Sequence, residues 1–271
     1  MRTVNFHEAK NQTASRKPTH GVQRLMRHRR TILPTIVLAA STLIAAQAAE
    51  GPAPTPARTI RFAGQDWLVK DSAGQLVGPG PNVFAAANVR VTGPDLYLGV
   101  NPIGRNWTSA EVISSASFGY GKYSFTVLLD PSNLDPNLVL GLFTYSDDPA
   151  FAHREIDIEL SRWANPTAQN AQCVVQPYDA PGALIRFQVP AGQHEAMYSF
   201  TWAPGRVTCE VDGRSGDLPP PPFHFTHTFT DRIPQPGTAH VHINLWQFQG
   251  HPPATNAPEQ VVISNFSFTP L

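Results

Sequence analysis

In Glu155-Ile156-Asp157-Ile158-Glu159-Leu160 acids alternate with aliphatics without a break. A β-strand sorts such an alternation cleanly, because its successive side chains point to opposite faces. Ile156, Ile158 and Leu160 then face a core, while Glu155, Asp157 and Glu159 share the other side. Short alternating runs recur at Thr59–Phe62, Val89–Val91, Leu96–Val100, Ala110–Ser114, Lys122–Leu129 and Leu138–Tyr145, and after the acidic run at Gln172–Tyr178, Leu184–Val189, Met197–Trp202, Arg206–Val211, His240–Phe248 and Gln260–Thr269. Clusters of Gly, Pro, Asn and Asp separate them, and no helical-period stretch of useful length stands out. Many short strands at this spacing predict an all-β fold, a sandwich or jelly roll, in one domain over residues 58–271.

Three carboxylates on one strand face repel and raise one another's pKa. Such repulsion is useful where one carboxyl must stay protonated as an acid while another stays ionised as a nucleophile. Residues i and i+4 lie about 13 Å apart along a strand, and two Glu side chains leaning inward can approach the roughly 5–5.5 Å of a retaining glycosidase. The bare pattern is equally compatible with a solvated strand face.

Acids and bases balance at 20 each. No basic surface is indicated, and nucleic acid is not an expected partner. The two cysteines are too few for a zinc site or a disulfide scaffold. Cys173 and Cys209 both have core-facing parity; a disulfide between them and a pair of free thiols both remain open. Arg24, Arg27, Arg29 and Arg30 precede an apolar run from Thr31 to Ala46, followed by the small-x-small Ala46-Gln47-Ala48. That order reads as a secretory signal over residues 26–48, too short in its apolar part to span a bilayer. Residues 1–25 read as a disordered or untranslated extension, with Met26 as an alternative start, and residues 49–57 as a Pro-rich linker. Export to the periplasm or the exterior is expected, as a monomer without stable membrane insertion.

The flanks of the acidic strand extend the reading. Phe118-Gly119-Tyr120-Gly121-Lys122-Tyr123 and Leu142-Phe143-Thr144-Tyr145 precede it. His194–Gly205, with its Trp202-Ala203-Pro204-Gly205 turn, then Val211-Asp212-Gly213, Ile233-Pro234-Gln235-Pro236-Gly237 and Ile243-Asn244-Leu245-Trp246 follow. Together these resemble glycoside hydrolase family 16, the lichenases, laminarinases, agarases and xyloglucan transglycosylases. The resemblance implies a β-jelly roll of two curved antiparallel sheets whose concave face holds a glycan chain. It assigns Glu155 as nucleophile, Glu159 as general acid/base and Asp157 as the assisting carboxylate. The unbulged five-residue spacing is similar to that of the lichenase and transglycosylase branch.

By the same resemblance Phe143, Tyr145, Tyr178 and Trp246 are cleft aromatics, suited to the apolar faces of sugar rings. Gln176 stands where that branch often has Asn, and His153 where it often has Trp. Asn82, in a Gly-Pro-rich loop, is a candidate for sugar hydroxyls or a turn cap. Trp163 and Trp107 are weaker candidates for the cleft rim, and Trp202 is expected to pack structurally. Arg154 is expected in a structural ion pair, and one histidine of His240-Val241-His242 near the cleft. Asn265 replaces the Asp with which many members hold a structural calcium. An amide is a poorer ligand for a hard cation, so neither calcium nor any other cofactor is expected. The function implied is retaining endo-hydrolysis of a β-linked polysaccharide, β-glucan first, with transglycosylation or non-catalytic glycan binding as alternatives.

Overall fold

The computed structural model of the protein describes residues 57–214 and 222–271. The expected extension and signal, and the linker up to residue 56, lie outside the described residues. The strands are β1 Thr59–Phe62, β2 Gln65–Val69, β3 Val83–Phe84, β4 Val89–Thr92, β5 Asp95–Ile103, β6 Asn106–Ser117, β7 Gly121–Leu128, β8 Leu138–Tyr145, β9 Ile156–Ser161, β10 Ala171–Val175, β11 Leu184–Phe187, β12 Glu195–Ala203, β13 Arg206–Arg214, β14 Phe223–Phe229, β15 His240–Gln247 and β16 Glu259–Pro270.

Hydrogen bonding runs in the order β11-β10-β9-β8-β15-β6-β5-β16-β7-β12-β13-β14, with β1 and β2 added beside β6, β3 on β6 and β4 on β5. Every ladder is antiparallel except the short β3–β6 pair. The ribbon folds into two facing layers around one core. Ile156, Ile158 and Leu160 of one layer and Tyr123, Phe125, Tyr198, Phe200 and Trp202 of the other belong to the same buried cluster. Trp67 on β2 meets Phe266 on β16 edge to face, 5.3 Å between centroids. Phe187 and Phe225 stack at 3.8 Å, bringing the terminal strands β11 and β14 together. The result is an all-β jelly roll of two curved sheets, as the alternation predicts.

Burial separates the two layers. Along β7 it alternates, one face inward and one toward solvent. All but the last residue of β8 is buried, as are all five residues of β10. Leu138, Leu140 and Leu142 of β8 and Ala171, Cys173 and Val175 of β10 pack into the core; the other side of each strand is sheltered beneath a cleft, and that second sheltered face carries the site. Trp202 is fully buried and donates its indole N–H to the Pro234 carbonyl at 3.0 Å, the structural role expected of it. The sequence-predicted strand over Gln172–Tyr178 ends at Val175: Pro177 has no N–H for the ladder, and Tyr178 turns outward.

Candidate active site

Register sets the site. Asp157 on β9 lies opposite Phe143 on β8, and Phe143 opposite His242 on β15. One row along, Gln172, Glu159, Gly141, Asn244 and Glu111 line up across β10, β9, β8, β15 and β6. Glu155 precedes β9 by one residue. It is extended (φ −84°, ψ 124°) and keeps the parity of Asp157 and Glu159. Its carbonyl accepts from the Gln176 N–H at 3.1 Å, fixing it beside the end of β10. All three acids therefore share the concave face. Gly141 is required here: a Cβ would meet Asn244 Oδ1 at 2.5 Å.

Asp157 is 4% exposed and sits between the two glutamates. Burial, then the charges of Glu155 and Glu159, hold it well above the usual carboxylate range. It stays protonated and donates to Glu155, while Gln176 Nε2 donates to its Oδ2 at 3.0 Å. The Gln176 amide is itself oriented by the Tyr178 N–H, which donates to Gln176 Oε1 at 2.8 Å. Burial pushes Glu155 up to about 7; the hydrogen bond from Asp157 opposes this, and the charges of Glu159 and Glu111 reinforce it. Burial raises Glu159 as well, against a hydrogen bond donated by Gln172 Nε2 and the charge of Arg186. Arg186 Nε donates to Gln172 Oε1 at 3.0 Å, and its guanidinium lies 4.1 Å above the Trp163 ring.

A pocket of about 530 Å³ opens beside Glu155, lined also by Phe143, Tyr145, Asp147, Glu111 and His242. A second, of about 370 Å³, continues over His240, Ser114 and Leu68. The turn before Glu155 is unusual. Phe151, Ala152, His153 and Arg154 all have φ between 49° and 61°, the left-handed region, at roughly 1–2 kcal/mol per non-glycine residue. His153 is thereby laid flat on Tyr145, 4.7 Å between centroids and 8° apart, with Nδ1 donating to the Ser146 carbonyl at 2.9 Å. Arg154 pairs with Asp148 at 2.8 Å, the ion pair the sequence leads one to expect.

No protein-family model matches the chain, and no curated protein does. Solved structures do. The chain is similar to a β-glucanase of Bacillus licheniformis, with 21% identity and a TM-score of 0.55 over 75% of this chain and 91% of that one. It is similar to a β-1,3-1,4-glucanase (lichenase) derived from a mouse hindgut metagenome, with 18% identity and a TM-score of 0.56 over 78% and 96%. It is also similar to a protein of Mycobacterium tuberculosis described as a pseudo β-1,3-glucanase, with 21% identity and a TM-score of 0.50 over 73% and 88%. The fold is the β-glucanase jelly roll.

On this β-glucanase fold, Glu155, Asp157, Glu159, Phe143, Tyr145, His153 and Gln176 gather at one end of the cleft floor. Tyr178 stands 66% exposed beyond β10, and Trp246 is half-buried beside Phe248 and the Gly80 loop. Asn82 is a correction. It is 1% exposed, its amide donates to the carbonyls of Pro79 and Gln247, and its Oδ1 accepts from Ser109 and Gln247. It ties β15 to the Gly-Pro loop and has nothing left for a sugar. Trp107 packs against the core instead of lining the rim. Cys173 and Cys209 are buried free thiols, and burial pushes the Cys173 thiol well up. Asn265 is exposed at a register shift in β16. No cluster of three or more His, Cys, Asp or Glu side chains suited to a metal ion occurs among the described residues. Sequence reasoning missed Lys70, Glu111, Gln172 and Arg186. The one available signal was Glu111, an acid between Ala110 and Val112 in a run otherwise free of charge.

Proposed function

We propose that the protein is a retaining endo-glycosidase of glycoside hydrolase family 16 acting on a β-linked glucan. One observation carries this reading: three carboxylates share the concave face of one strand, with Asp157 buried between the two glutamates and Glu155 lining an open pocket. A carboxylate that accepts one hydrogen bond and lines an open pocket is free to attack an anomeric carbon. In the first step Glu155 forms the glycosyl ester while Glu159, kept protonated by burial, gives its proton to the leaving oxygen. In the second step Glu159, now ionised, takes a proton from water, which displaces Glu155 with net retention. Asp157 holds Glu155 in line and limits the rise of its pKa. The fold shared with β-glucanases and the aromatic lining of Phe143 and Tyr145 support a neutral glucan chain as substrate. The signal expected over residues 26–48 supports export.

Glu155→Gln should abolish reducing-sugar release from lichenan or laminarin, by more than about 10³-fold, with thermal unfolding near that of the wild type. Hydrolysis by the variant at the wild-type rate would sink the assignment. Product sizing on lichenan, laminarin, xyloglucan, agarose and carrageenan, with and without excess acceptor oligosaccharide, names the glycan and separates hydrolysis from transglycosylation. Binding without turnover across that panel would return the protein to the class of glycan-binding modules.

A further inference from the structure

Glu111 is 2% exposed and lies on the cleft floor three strands from the catalytic trio. Both of its oxygens are committed. Oε1 accepts from His242 Nδ1 at 2.8 Å, and Oε2 accepts from Lys70 Nζ at 2.7 Å. Lys70 also donates to the Gly78 carbonyl at 3.1 Å and rests 4.2 Å over the Phe84 ring. Glu111 therefore has little capacity to meet a ligand itself, and its effect passes to His242.

An ionised carboxylate can only accept, so Nδ1 of His242 carries a proton, which in a neutral imidazole makes Nε2 the acceptor. Nε2 has no protein hydrogen-bond partner among the described residues. The ring cannot turn away, because it is wedged between Phe143, 4.9 Å between centroids, and Tyr145, 5.7 Å. His242 and Glu155 line the same pocket. A fixed tautomer, a fixed ring plane and a free acceptor beside the nucleophile form a built hydrogen-bonding site.

We propose that His242 Nε2 is the specificity-determining contact for a hydroxyl of the sugar ring seated beside Glu155. Glu111 and Lys70 are positioning residues that set its tautomer. This deepens the glycosidase reading and rests on it. A site built to pair one hydroxyl discriminates against a ring that lacks it, because the acceptor, covered by the bound sugar, is then left unpaired.

The test uses the full-length protein and the neutral glucan that the wild type cleaves. His242→Met fills the space without a partner for a hydroxyl, while His242→Gln restores an amide. His242→Met should lower kcat/KM by about 10- to 100-fold, mostly through KM, and His242→Gln should recover a good part of it. Glu111→Gln should lower kcat/KM by a few fold alone and by nothing further in the His242→Met background. Thermal unfolding screens every variant first, and His242→Leu replaces His242→Met should the latter not fold. Unchanged kinetics in His242→Met, no recovery in His242→Gln, or fully additive losses with Glu111→Gln would each overturn the inference while leaving the glycosidase reading intact. Failure of the wild type to cleave any neutral glucan would sink the glycosidase reading instead. The subsite would then be judged by calorimetric binding of the same oligosaccharides, where equal affinity of wild type and His242→Met overturns it.

Discussion

Glu111 and Asp157 lie on the same concave face and are almost equally buried, 2% and 4% exposed, yet their charge states are opposite. Glu111 is held below the ordinary carboxylate range, although burial alone would raise it, because His242 and Lys70 donate to both of its oxygens. Asp157 is held well above that range by burial first, and the charges of two further carboxylates add to it instead of opposing it. Burial raises both carboxyls; Lys70 and His242 reverse the shift at Glu111, while like charges add to it at Asp157. One half of the floor is a satisfied ion cluster. The other is a set of acids that cannot all ionise, the condition for moving a proton at neutral pH.

That contrast breaks most sharply by neutralising each acid in turn. Glu111→Gln leaves Lys70 and His242 facing an amide and should destabilise the fold by about 2–3 kcal/mol, below the usual figure for a broken buried pair because Lys70 reaches solvent. Asp157→Asn removes a group that is already protonated and should leave stability within about 1 kcal/mol, while turnover falls by roughly 10- to 100-fold. Denaturant unfolding at pH 7 reads both. Equal destabilisation by the two substitutions would mean that the halves of the floor do not differ as described.

The pH dependence of stability sharpens the same point, at a slightly smaller effect. Glu155 is raised from 4.5 to about 7. Its folded form therefore holds a proton more tightly than the unfolded chain. The stabilisation this gives is complete below about 4.5 and is lost as pH rises through about 7. The full shift corresponds to about 3 kcal/mol; with the carboxyl still touching solvent in the cleft, about 2 kcal/mol is expected. Unfolding free energy should fall between pH 5 and 8 in the wild type, and this fall should flatten in Glu155→Gln. Glu111 has the opposite sign: its contribution is present above the unfolded value and is lost as pH falls through its lowered folded value. Glu111→Gln should remove the stability lost on acidification and reduce the neutral-to-alkaline fall only slightly, because the Glu111 charge is the smallest of the causes that raise Glu155.

The alternation of Glu155–Leu160 was enough to place three acids on one face and three aliphatics in the core, because a strand's period of two leaves no other arrangement. The same rule carried the parity of Cys173, Cys209 and most of the strands. It did not reveal β14, whose Phe223-His224-Phe225-Thr226-His227 alternation follows a run of four prolines that reads as loop. Nor did it reveal which acids are paired. Glu111 meets Lys70 across 41 residues of sequence and His242 across 131. No local pattern encodes such a meeting; only sheet order does. Asn82 was left open between sugar hydroxyls and a turn cap for a related reason. Its loop composition fits both a cleft edge and a tie to β15, and the partner that decides, Gln247, is 165 residues away.

The smallest expected effect probes Arg186, the cation whose charge acts on Glu159. Arg186 reaches Glu159 at one remove, through the Gln172 amide, and it is exposed. Its charge lowers Glu159 against burial. Arg186→Met should therefore raise Glu159 further and move the alkaline limb of kcat/KM upward by a few tenths of a pH unit, worth about 0.5 kcal/mol. The direction follows because Glu159 must be protonated to serve the leaving group, and a higher pKa keeps it so at higher pH. Salt supplies an independent check: screening an exposed guanidinium should move the wild-type limb toward that of the variant at high ionic strength and leave the variant's limb in place. A shift of more than one unit would make Glu159 an ion-paired acid like Glu111, and the two halves of the cleft floor would then differ in degree and not in kind.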